Sequence, residues 1–207
     1  MLEIKNLTVK YEKIVLDDVN LKLEKKIYGL KGGSGSGKTT FIKAILGLID
    51  YKGEILLDGK LLKTRKNFQI VFQNPFNSFD PTGKIKFSIN EIIKLNKVNV
   101  SLEELAKKVG VDISLFDKFP HELSGGELQR LSIARAISTN PRVLIFDEPT
   151  SALDVENQKN ILDLIKNFKD KIIIFISHDM RVIKYISDEV LILDKEGKKI
   201  VKEEKFN

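Results

Sequence analysis

The chain of 207 residues contains no cysteine and no long apolar run. Without cysteine it can form neither a disulfide framework nor a thiolate metal site. Its most apolar stretch, residues 172–176, falls far short of the about 20 apolar residues that a membrane-spanning helix needs, and it predicts a buried strand instead. The N-terminal residues enter strand-like alternation at once and lack the apolar core of a signal peptide. These absences predict a cytoplasmic protein.

What the chain does contain is the balance of residues found in globular proteins. Apolar residues make up 42% and charged residues 31% of the sequence, and a chain of this length can bury the core of one large domain. The net charge of +6 comes mostly from lysines that are scattered along the chain and mixed with glutamates. We interpret this charge as a solvated surface, and no nucleic-acid partner is predicted.

Two kinds of strand pattern divide the sequence. Residues 1–31 alternate between apolar and polar side chains, which predicts an antiparallel sheet. Short apolar runs at 53–57 and 68–72 predict further strands. From residue 143 to residue 193, short strands and amphipathic helices follow one another. That alternation is typical of a parallel sheet covered by helices, so we expect an α/β fold.

Between about residues 76 and 140, apolar side chains recur with the helical period and no convincing strand is present. We interpret this segment as a helical subdomain that is inserted into the α/β core. No internal repeat or long linker interrupts the chain. The predicted organisation is therefore a single domain, 1–207, with a helical subdomain at about 76–140.

A glycine-rich segment, residues 32–39, follows a short predicted strand and precedes a predicted helix. It matches the phosphate-binding loop pattern G-x-x-x-x-G-K-[ST], in which glycines let backbone N–H groups turn around a phosphate. The helix that follows adds its positive N-terminal end. Lys38 would contact the β- and γ-phosphates, and the Thr39 hydroxyl would bind Mg²⁺. The predicted nucleotide-binding residues are Gly32, Gly33, Ser34, Gly35, Ser36, Gly37, Lys38, Thr39 and Thr40.

A phosphate-binding loop alone is compatible with kinases, GTPases, helicases and transporters. The base-reading motif of GTPases, Asn-Lys-x-Asp, is absent, because Asn96-Lys97 is followed by Val98 and Asn99. The choice among the other classes depends on the rest of the chain.

Two adjacent acids end an apolar run at residues 143–148. A buried strand that emerges beside the phosphate loop would bring Asp147 to the Mg²⁺ shell, either directly or through water. Glu148 is one residue further on and would polarise the attacking water as a general base. His178 comes just after the next predicted strand, where an imidazole can stabilise the γ-phosphate. We therefore predict Lys38, Glu148 and His178 as the catalytic residues.

The segment Leu123-Ser124-Gly125-Gly126-Glu127-Leu128-Gln129-Arg130 resembles the signature of ATP-binding cassette (ABC) proteins, which other phosphate-loop enzymes lack. The resemblance spans the whole chain, with six motifs in order. It implies a P-loop NTPase fold with a RecA-like core sheet, an N-terminal antiparallel β subdomain and an inserted helical subdomain. It also implies that two cassettes stack head to tail. Ser124, Gly125 and Gly126 of one cassette then close over the ATP that the other cassette holds.

Three further positions match motifs of this family. Tyr11 resembles the aromatic residue that stacks on adenine. Gln73 resembles the glutamine that contacts Mg²⁺ and water and links the two lobes. Asp154 ends the segment 151–154, which resembles the D-loop that crosses the dimer interface. The resemblance implies ATP and Mg²⁺ as cofactors and an ATPase activity, with Thr39, Gln73 and Asp147 as the metal ligands.

The subfamily and the partners follow from softer resemblances. Residues 73–81 and 119–122 are similar to those of oligopeptide and nickel importer cassettes, in which these segments lie against the membrane subunit. The resemblance implies an ATP-hydrolysing subunit on the inner face of the cell membrane. Its partners would be a second cassette, integral membrane subunits and an extracytoplasmic substrate-binding protein. The alternative is a soluble ABC ATPase of a non-transport complex, such as one in iron–sulfur assembly.

Overall fold

The chain folds into two units in the computed structural model, which describes residues 1–62, 64–194 and 199–204. The first unit comprises residues 1–65 and 169–207, and the second comprises residues 66–168. The strands that the sequence predicts at residues 53–57, 68–72 and 172–176 are present, with ends that agree within a residue, and strands and helices follow one another from residue 143 to residue 193 as predicted.

The first unit contains two sheets and two helices. Its strands are β1 (Leu2–Lys10), β2 (Ile14–Leu23), β3 (Ile27–Lys31), β4 (Lys52–Leu57), β5 (Lys60–Leu61), β8 (Ile172–Ile176), β9 (Glu189–Leu193) and β10 (Ile200–Glu204). Its helices are α1 (Lys38–Ile45) and α6 (Met180–Ile186). One sheet is antiparallel in the order β2-β1-β4-β5, as the alternation of residues 1–31 predicts for its first two strands.

A bulge in β1 explains an irregularity in the apolar pattern of that strand. Leu2 and Ile4 are two residues apart, but the next apolar residue on the same face is Leu7, three residues on. Asn6 adopts a positive φ of 52°, and the pairing with β2 shifts register between Ile4 and Leu7. The extra residue keeps all three apolar side chains buried on one face of the sheet.

Strand β3 is held between two parallel neighbours. Leu30 pairs with Ile176 of β8 on one side and with Leu191 of β9 on the other. All three side chains are at most 3% exposed, which is typical of a parallel strand covered on both faces. The carboxyl ends of β3, β8 and β9 therefore meet at one edge of this sheet.

The last strand, β10, was not predicted from the sequence, because only its first two residues are apolar. It pairs antiparallel with β9. Glu189 lies 7% exposed and forms ion pairs with Lys26 and Lys202, each with an N–O distance of 2.5 Å. Since a buried carboxylate without a partner would be costly, these two lysines compensate its burial and join β10 to the rest of the sheet.

The second unit is mostly helical. Its strands β6 (Phe68–Val71) and β7 (Val143–Asp147) pair in parallel. Between them the chain forms only helices and loops, as predicted for residues 76–140. These are α2 (Ile85–Asn96), α3 (Leu102–Val109), α4 (Gly125–Ile137) and 3₁₀ turns at Pro75–Ser78, Ile113–Asp117 and Pro120–Glu122, followed after β7 by α5 (Val155–Lys166). The single-domain organisation of residues 1–207 stays a prediction.

None of the helices within the described ranges combines the length and the apolarity that a bilayer crossing requires.

Gly53 should be the glycine of the antiparallel sheet that tolerates substitution least. It has a φ of +101°, and a Cβ placed on it would lie 2.4 Å from the carbonyl oxygen of Lys5 and 2.5 Å from that of Asn6. We expect Gly53→Ala to lower the free energy of unfolding in urea by about 3 kcal/mol, the sum of positive-φ strain and overpacking.

Gly59→Ala is the matched control for this substitution. Gly59 also has a positive φ, of +74°, but a Cβ there would contact nothing within 4 Å. Its cost should be limited to the backbone strain of about 1 kcal/mol. Equal losses in the two variants would show that the carbonyls opposite Gly53 move aside freely.

Candidate nucleotide site

The phosphate loop, residues 32–39, connects the end of β3 to the first turn of α1. The Lys38 Nζ donates hydrogen bonds to the carbonyl oxygens of Gly32, at 2.7 Å, and Gly33, at 3.0 Å. Both acceptors belong to the loop itself, so the ammonium group is held against the loop instead of extending into solvent. A cation in that position can pair with a phosphate that the loop encloses.

Two glycines of the loop lie close to neighbouring side chains. Gly37 begins α1 with a φ of 104°, and a Cβ there would lie 3.1 Å from Cγ1 of Val15 in β2. A Cβ on Gly32 would lie 2.4 Å from Oγ of Ser36. Any side chain at these positions would therefore disturb either the start of the helix or the path of the loop.

The donors of the loop fit a phosphate group. The Ser36 Oγ is buried and has no hydrogen-bond partner among the described residues. Meanwhile, a Cβ added to Gly33 or Gly35 would meet nothing within 4 Å, so the loop leaves open space beside these residues. A buried hydroxyl without a partner is costly unless a ligand satisfies it. The fixed Lys38 ammonium group next to this open space favours an anionic ligand.

Tyr11 lies in the turn between β1 and β2 and is 55% exposed. Its backbone N–H donates to the carbonyl oxygen of Lys13 at 3.1 Å, which shapes the turn. Strand β2 then runs past the start of α1, because Val15 is the residue that approaches Gly37. The aromatic side chain is thus available for stacking, on a hairpin whose second strand contacts the phosphate loop.

His178 is exposed and follows the end of β8. Because β3 and β8 are parallel and Leu30 pairs with Ile176, the phosphate loop and His178 leave the sheet at the same edge. Asp179 then caps α6 by accepting a hydrogen bond from the Arg181 backbone N–H at 2.8 Å. In the first unit, the phosphate loop follows β3, His178 follows the neighbouring strand β8, and Tyr11 lies in the turn between β1 and β2.

In the second unit, Gln73 follows β6, and the two acids close β7 and the turn after it. Because Val71 pairs with Phe146, both segments leave the strand pair at the same edge. A serine connects them: Ser151 Oγ accepts a hydrogen bond from Gln73 Nε2 at 3.1 Å and donates one to the Glu148 carbonyl oxygen at 3.1 Å. This connection was not predicted from the sequence.

Glu148 has an unusual backbone conformation, with a φ of 50°. A non-glycine residue in the left-handed region is uncommon, and such residues concentrate at functional sites. Asp147 and Glu148 are both half-buried, and both take part in interactions with their surroundings. The turn continues to the buried Thr150, whose Oγ1 accepts a hydrogen bond from Gln158 Nε2 at 3.2 Å.

The signature turn, residues 124–126, starts α4 with a reciprocal cap. Ser124 Oγ accepts a hydrogen bond from the Glu127 backbone N–H at 3.3 Å. The Glu127 carboxylate in turn accepts from the Ser124 hydroxyl at 2.7 Å and from the Ser124 backbone N–H at 2.9 Å. The hydroxyl and then the amide of Ser124 lower the pKa of Glu127. This cap leaves Ser124 and Gly125 exposed at the helix N-terminus, where an anion is favoured.

The D-loop, residues 151–154, lies beside the signature turn. A Cβ on Gly125 would be 3.6 Å from Cδ2 of Leu153, and a Cβ on Gly126 would be 3.0 Å from Oδ1 of Asn157. Asp154 caps α5 and accepts hydrogen bonds from the Asn157 backbone N–H at 2.9 Å and from Asn157 Nδ2 at 2.6 Å. These hydrogen bonds lower the pKa of Asp154.

The predicted site residues fall into two groups, one in each unit. Tyr11, the phosphate loop and His178 belong to the first unit. The second unit holds the glutamine, the two acids, the signature turn and the D-loop aspartate, namely Gln73, Asp147, Glu148, Ser124, Gly125, Gly126 and Asp154. In each unit, the predicted site residues that follow parallel strands lie at the carboxyl ends of those strands. The predicted oxygen ligands of Mg²⁺ are divided between the units, with Thr39 in the first and Gln73 and Asp147 in the second.

Comparison with known proteins assigns the chain to a family. The family model described as ABC transporter matches residues 16–151. That range covers the phosphate loop, the signature turn and both acids, and it extends over more than half of the chain. The chain belongs to the ABC transporter family, as the signature resemblance implies.

Curated relatives are named as oligopeptide transport ATP-binding proteins. OppF of Haemophilus influenzae is 40% identical over 197 residues, which cover 85% of this chain and 59% of that protein. AppF of Bacillus subtilis is 38% identical over 198 residues, which cover 84% of this chain and 60% of that protein. The chain therefore spans about three fifths of the length of these relatives.

Two solved structures are similar over nearly the whole chain. The first is cbiO1 from Clostridium perfringens, described as part of the ABC transporter complex cbiONQ. It superimposes with a TM-score of 0.84 at 25% identity and covers 98% of this chain and 88% of its own. The second is the ATP-binding cassette MJ0796, a dimer in a post-hydrolysis state bound to ADP and Pi, with a TM-score of 0.80, 25% identity and full coverage of both chains. The predicted ABC cassette fold is confirmed.

The cap of the signature turn should make stability depend on pH. The lowered pKa of Glu127 means that its contribution to stability is fully present above the unfolded-state value of about 4.3, and is lost as the pH falls further. We expect the free energy of unfolding in urea to fall less steeply for Glu127→Gln than for the wild type between about pH 5 and pH 3.

Ser124→Ala offers an independent check, because it removes the largest cause of the lowered pKa of Glu127 while the Ser124 backbone N–H remains. This variant should also have a shallower slope than the wild type. A Glu127→Gln slope equal to that of the wild type would show that Glu127 does not carry this pH dependence.

Proposed function

We propose that the chain binds and hydrolyses MgATP as one of a pair of cassettes and thereby energises an ABC importer of the peptide or nickel type. The observation that carries the proposal is the phosphate loop. Its Lys38 ammonium group is fixed by two loop carbonyls, and its buried Ser36 hydroxyl has no partner in the described part of the chain. A triphosphate satisfies both groups at once.

ATP is held by the first unit in this proposal. Lys38 pairs with the β- and γ-phosphates, and the loop amides with Ser36 Oγ donate to phosphate oxygens. Tyr11 stacks on adenine, a contact worth about 1–3 kcal/mol per base. Mg²⁺ would be held by Thr39, Gln73 and Asp147, whose oxygen atoms are the ligands this ion prefers, and it would neutralise charge on the phosphates. Residues 1–207 act as one domain in this scheme.

Hydrolysis requires a base and a stabiliser of the developing charge. Glu148 takes the proton of the attacking water. It suits this role because it directly follows Asp147, a proposed ligand of Mg²⁺. His178, exposed at the edge from which the phosphate loop also leaves, stabilises charge on the γ-phosphate together with Lys38. Ser151 holds the turn after β7 in place, because its hydroxyl donates a hydrogen bond to the Glu148 carbonyl oxygen and accepts one from the side chain of Gln73.

The second cassette completes each site. The exposed signature turn of one copy, Ser124, Gly125 and Gly126, closes over the γ-phosphate that the other copy holds, with Asp154 at the interface. The dimeric state of MJ0796 bound to ADP and Pi supports this arrangement. ATP then favours the closed dimer and hydrolysis reopens it, as expected for a two-state equilibrium that a ligand shifts.

The partners proposed for the whole protein are integral membrane subunits and an extracytoplasmic substrate-binding protein, with the cassette on the inner face of the cell membrane. The names of the oligopeptide transport relatives support a peptide importer. The description of cbiO1 as part of a transporter complex supports a membrane assembly.

Glu148→Gln tests the catalytic part of the proposal. Removal of a general base should lower the rate of phosphate release by about 100-fold or more, since such groups contribute roughly 10²–10⁴-fold. ATP binding should remain, so the variant should accumulate as an ATP-bound dimer in size-exclusion chromatography. Glu156→Gln, which alters an exposed acid on α5 of the same unit, serves as the control and should hydrolyse ATP at the wild-type rate. Wild-type turnover in Glu148→Gln would remove Glu148 from the mechanism.

Affinity purification tests the transport part. The tagged chain should be expressed in the organism that it comes from, and the membranes extracted with mild detergent. It should then retain polytopic membrane proteins, which mass spectrometry can identify. A Lys38→Ala chain purified in the same way controls for contacts that depend on nucleotide. Recovery of a soluble scaffold protein in place of membrane subunits would favour the non-transport alternative.

A further inference from the structure

Asn157 lies at the point where the D-loop and the signature turn come together in the second unit. It occupies the first turn of α5 and is exposed. Its backbone N–H and its Nδ2 both donate to the carboxylate of Asp154, at 2.9 and 2.6 Å. The Nδ2 bond directs the side-chain amide of Asn157 toward that carboxylate, and a hydrogen bond to a charged acceptor is among the stronger ones.

The other end of the same amide faces the signature turn. Asn157 Oδ1 would lie 3.0 Å, and Cγ 3.3 Å, from a Cβ placed on Gly126. Both values are closer than ordinary van der Waals contact, so the glycine leaves just enough room for the amide to pack against its backbone. Asn157 therefore contacts the signature turn and bonds the D-loop cap with one short side chain.

A second contact runs parallel to the first. Cδ2 of Leu153, the residue before Asp154, would be 3.6 Å from a Cβ on Gly125. The two glycines of the signature turn thus rest on residues that flank the Asp154 cap on either side. The serine of the turn is fixed separately by its bonds with Glu127.

We infer that Asn157 is a positioning residue that holds the signature turn at the orientation set by the D-loop. The inference rests on the proposed function, in which this turn closes over the γ-phosphate bound to a second copy. Asn157 does not touch nucleotide in that scheme; it acts through Gly126 and Asp154. A signature turn that is free to shift would meet the phosphate out of register, and a misplacement of 1 Å can cost on the order of 100-fold in rate.

The test uses Asn157→Leu, which retains the backbone hydrogen bond to Asp154 but loses the Nδ2 donor. Leucine favours the helix more than asparagine, so α5 should still form. In a Glu148→Gln background, the protein concentration at which half of the chains dimerise with ATP should rise about tenfold, which is about 1.4 kcal/mol of dimerisation free energy. The urea midpoint and the affinity of the monomer for a fluorescent ATP analogue should stay at the values of the parent.

Asn160→Leu is the matched control, because Asn160 is an exposed asparagine on the same helix and lies one turn further from the cap. It should dimerise like the parent. Asp154→Ala provides a second test: if Asn157 acts through this carboxylate, the effect of Asn157→Leu should be much smaller in the Asp154→Ala background, since coupled residues give non-additive effects.

Each outcome has a distinct meaning. Parent-like dimerisation of Asn157→Leu would overturn the inference and leave the proposed function intact. Equal losses of stability, monomer nucleotide affinity and dimerisation would also overturn it, because they would show a purely structural role. A Glu148→Gln parent that stays monomeric with ATP would overturn the proposed dimer mechanism itself, and the inference with it.

Discussion

The pairing of β3 with a parallel strand on each side is the constraint from which the arrangement of the first unit follows. With β8 on one side and β9 on the other, the strand has no freedom to shift along its axis without moving every buried side chain off its partner. The phosphate loop begins where β3 ends. A loop rich in glycine has high conformational entropy, so a rigid strand before it and a helix after it are what give the loop one shape.

The second unit uses the same principle with a single pair of strands. β6 delivers Gln73 and β7 delivers the two acids at one edge, because parallel strands end together. In both units, residues of the candidate site thus lie directly after strand ends, where the backbone is fixed on one side and free to turn on the other. The left-handed backbone of Glu148 is part of such a turn, and it occurs in a residue for which that conformation is uncommon.

Polar side chains help to set the positions of two turns of the candidate site. Ser151 bonds the side chain of Gln73 and the backbone of Glu148, and Glu127 closes the cap on Ser124. Such bonds at exposed positions contribute little each to the free energy of unfolding. Their effect is directional, since each one holds the orientation of a backbone segment.

Much of the fold, and the segments that make up the candidate site, could be predicted from the sequence. The phosphate loop, the acid pair and the signature turn are contiguous segments, so their spacing along the chain already determines which donors and carboxylates stand side by side. The helices of residues 76–140 were equally readable, because periodicity is a local property. Strand β10 was not, since Ile200 and Val201 are followed by charged residues, and what supports this strand is its pairing with β9 and the ion pair of Lys202 with the buried Glu189.

The sequence by itself determined the family and the candidate phosphate-binding residues, because local motifs encode them. Only the tertiary structure decided that Asn157 packs on Gly126, that Ser151 connects Gln73 to the turn after β7, and that Val15 of β2 lies close to Gly37. These contacts join residues far apart in the chain, and no spacing or periodicity encodes them. They arise when strand pairing and helix packing bring distant backbone segments within a few ångströms of one another.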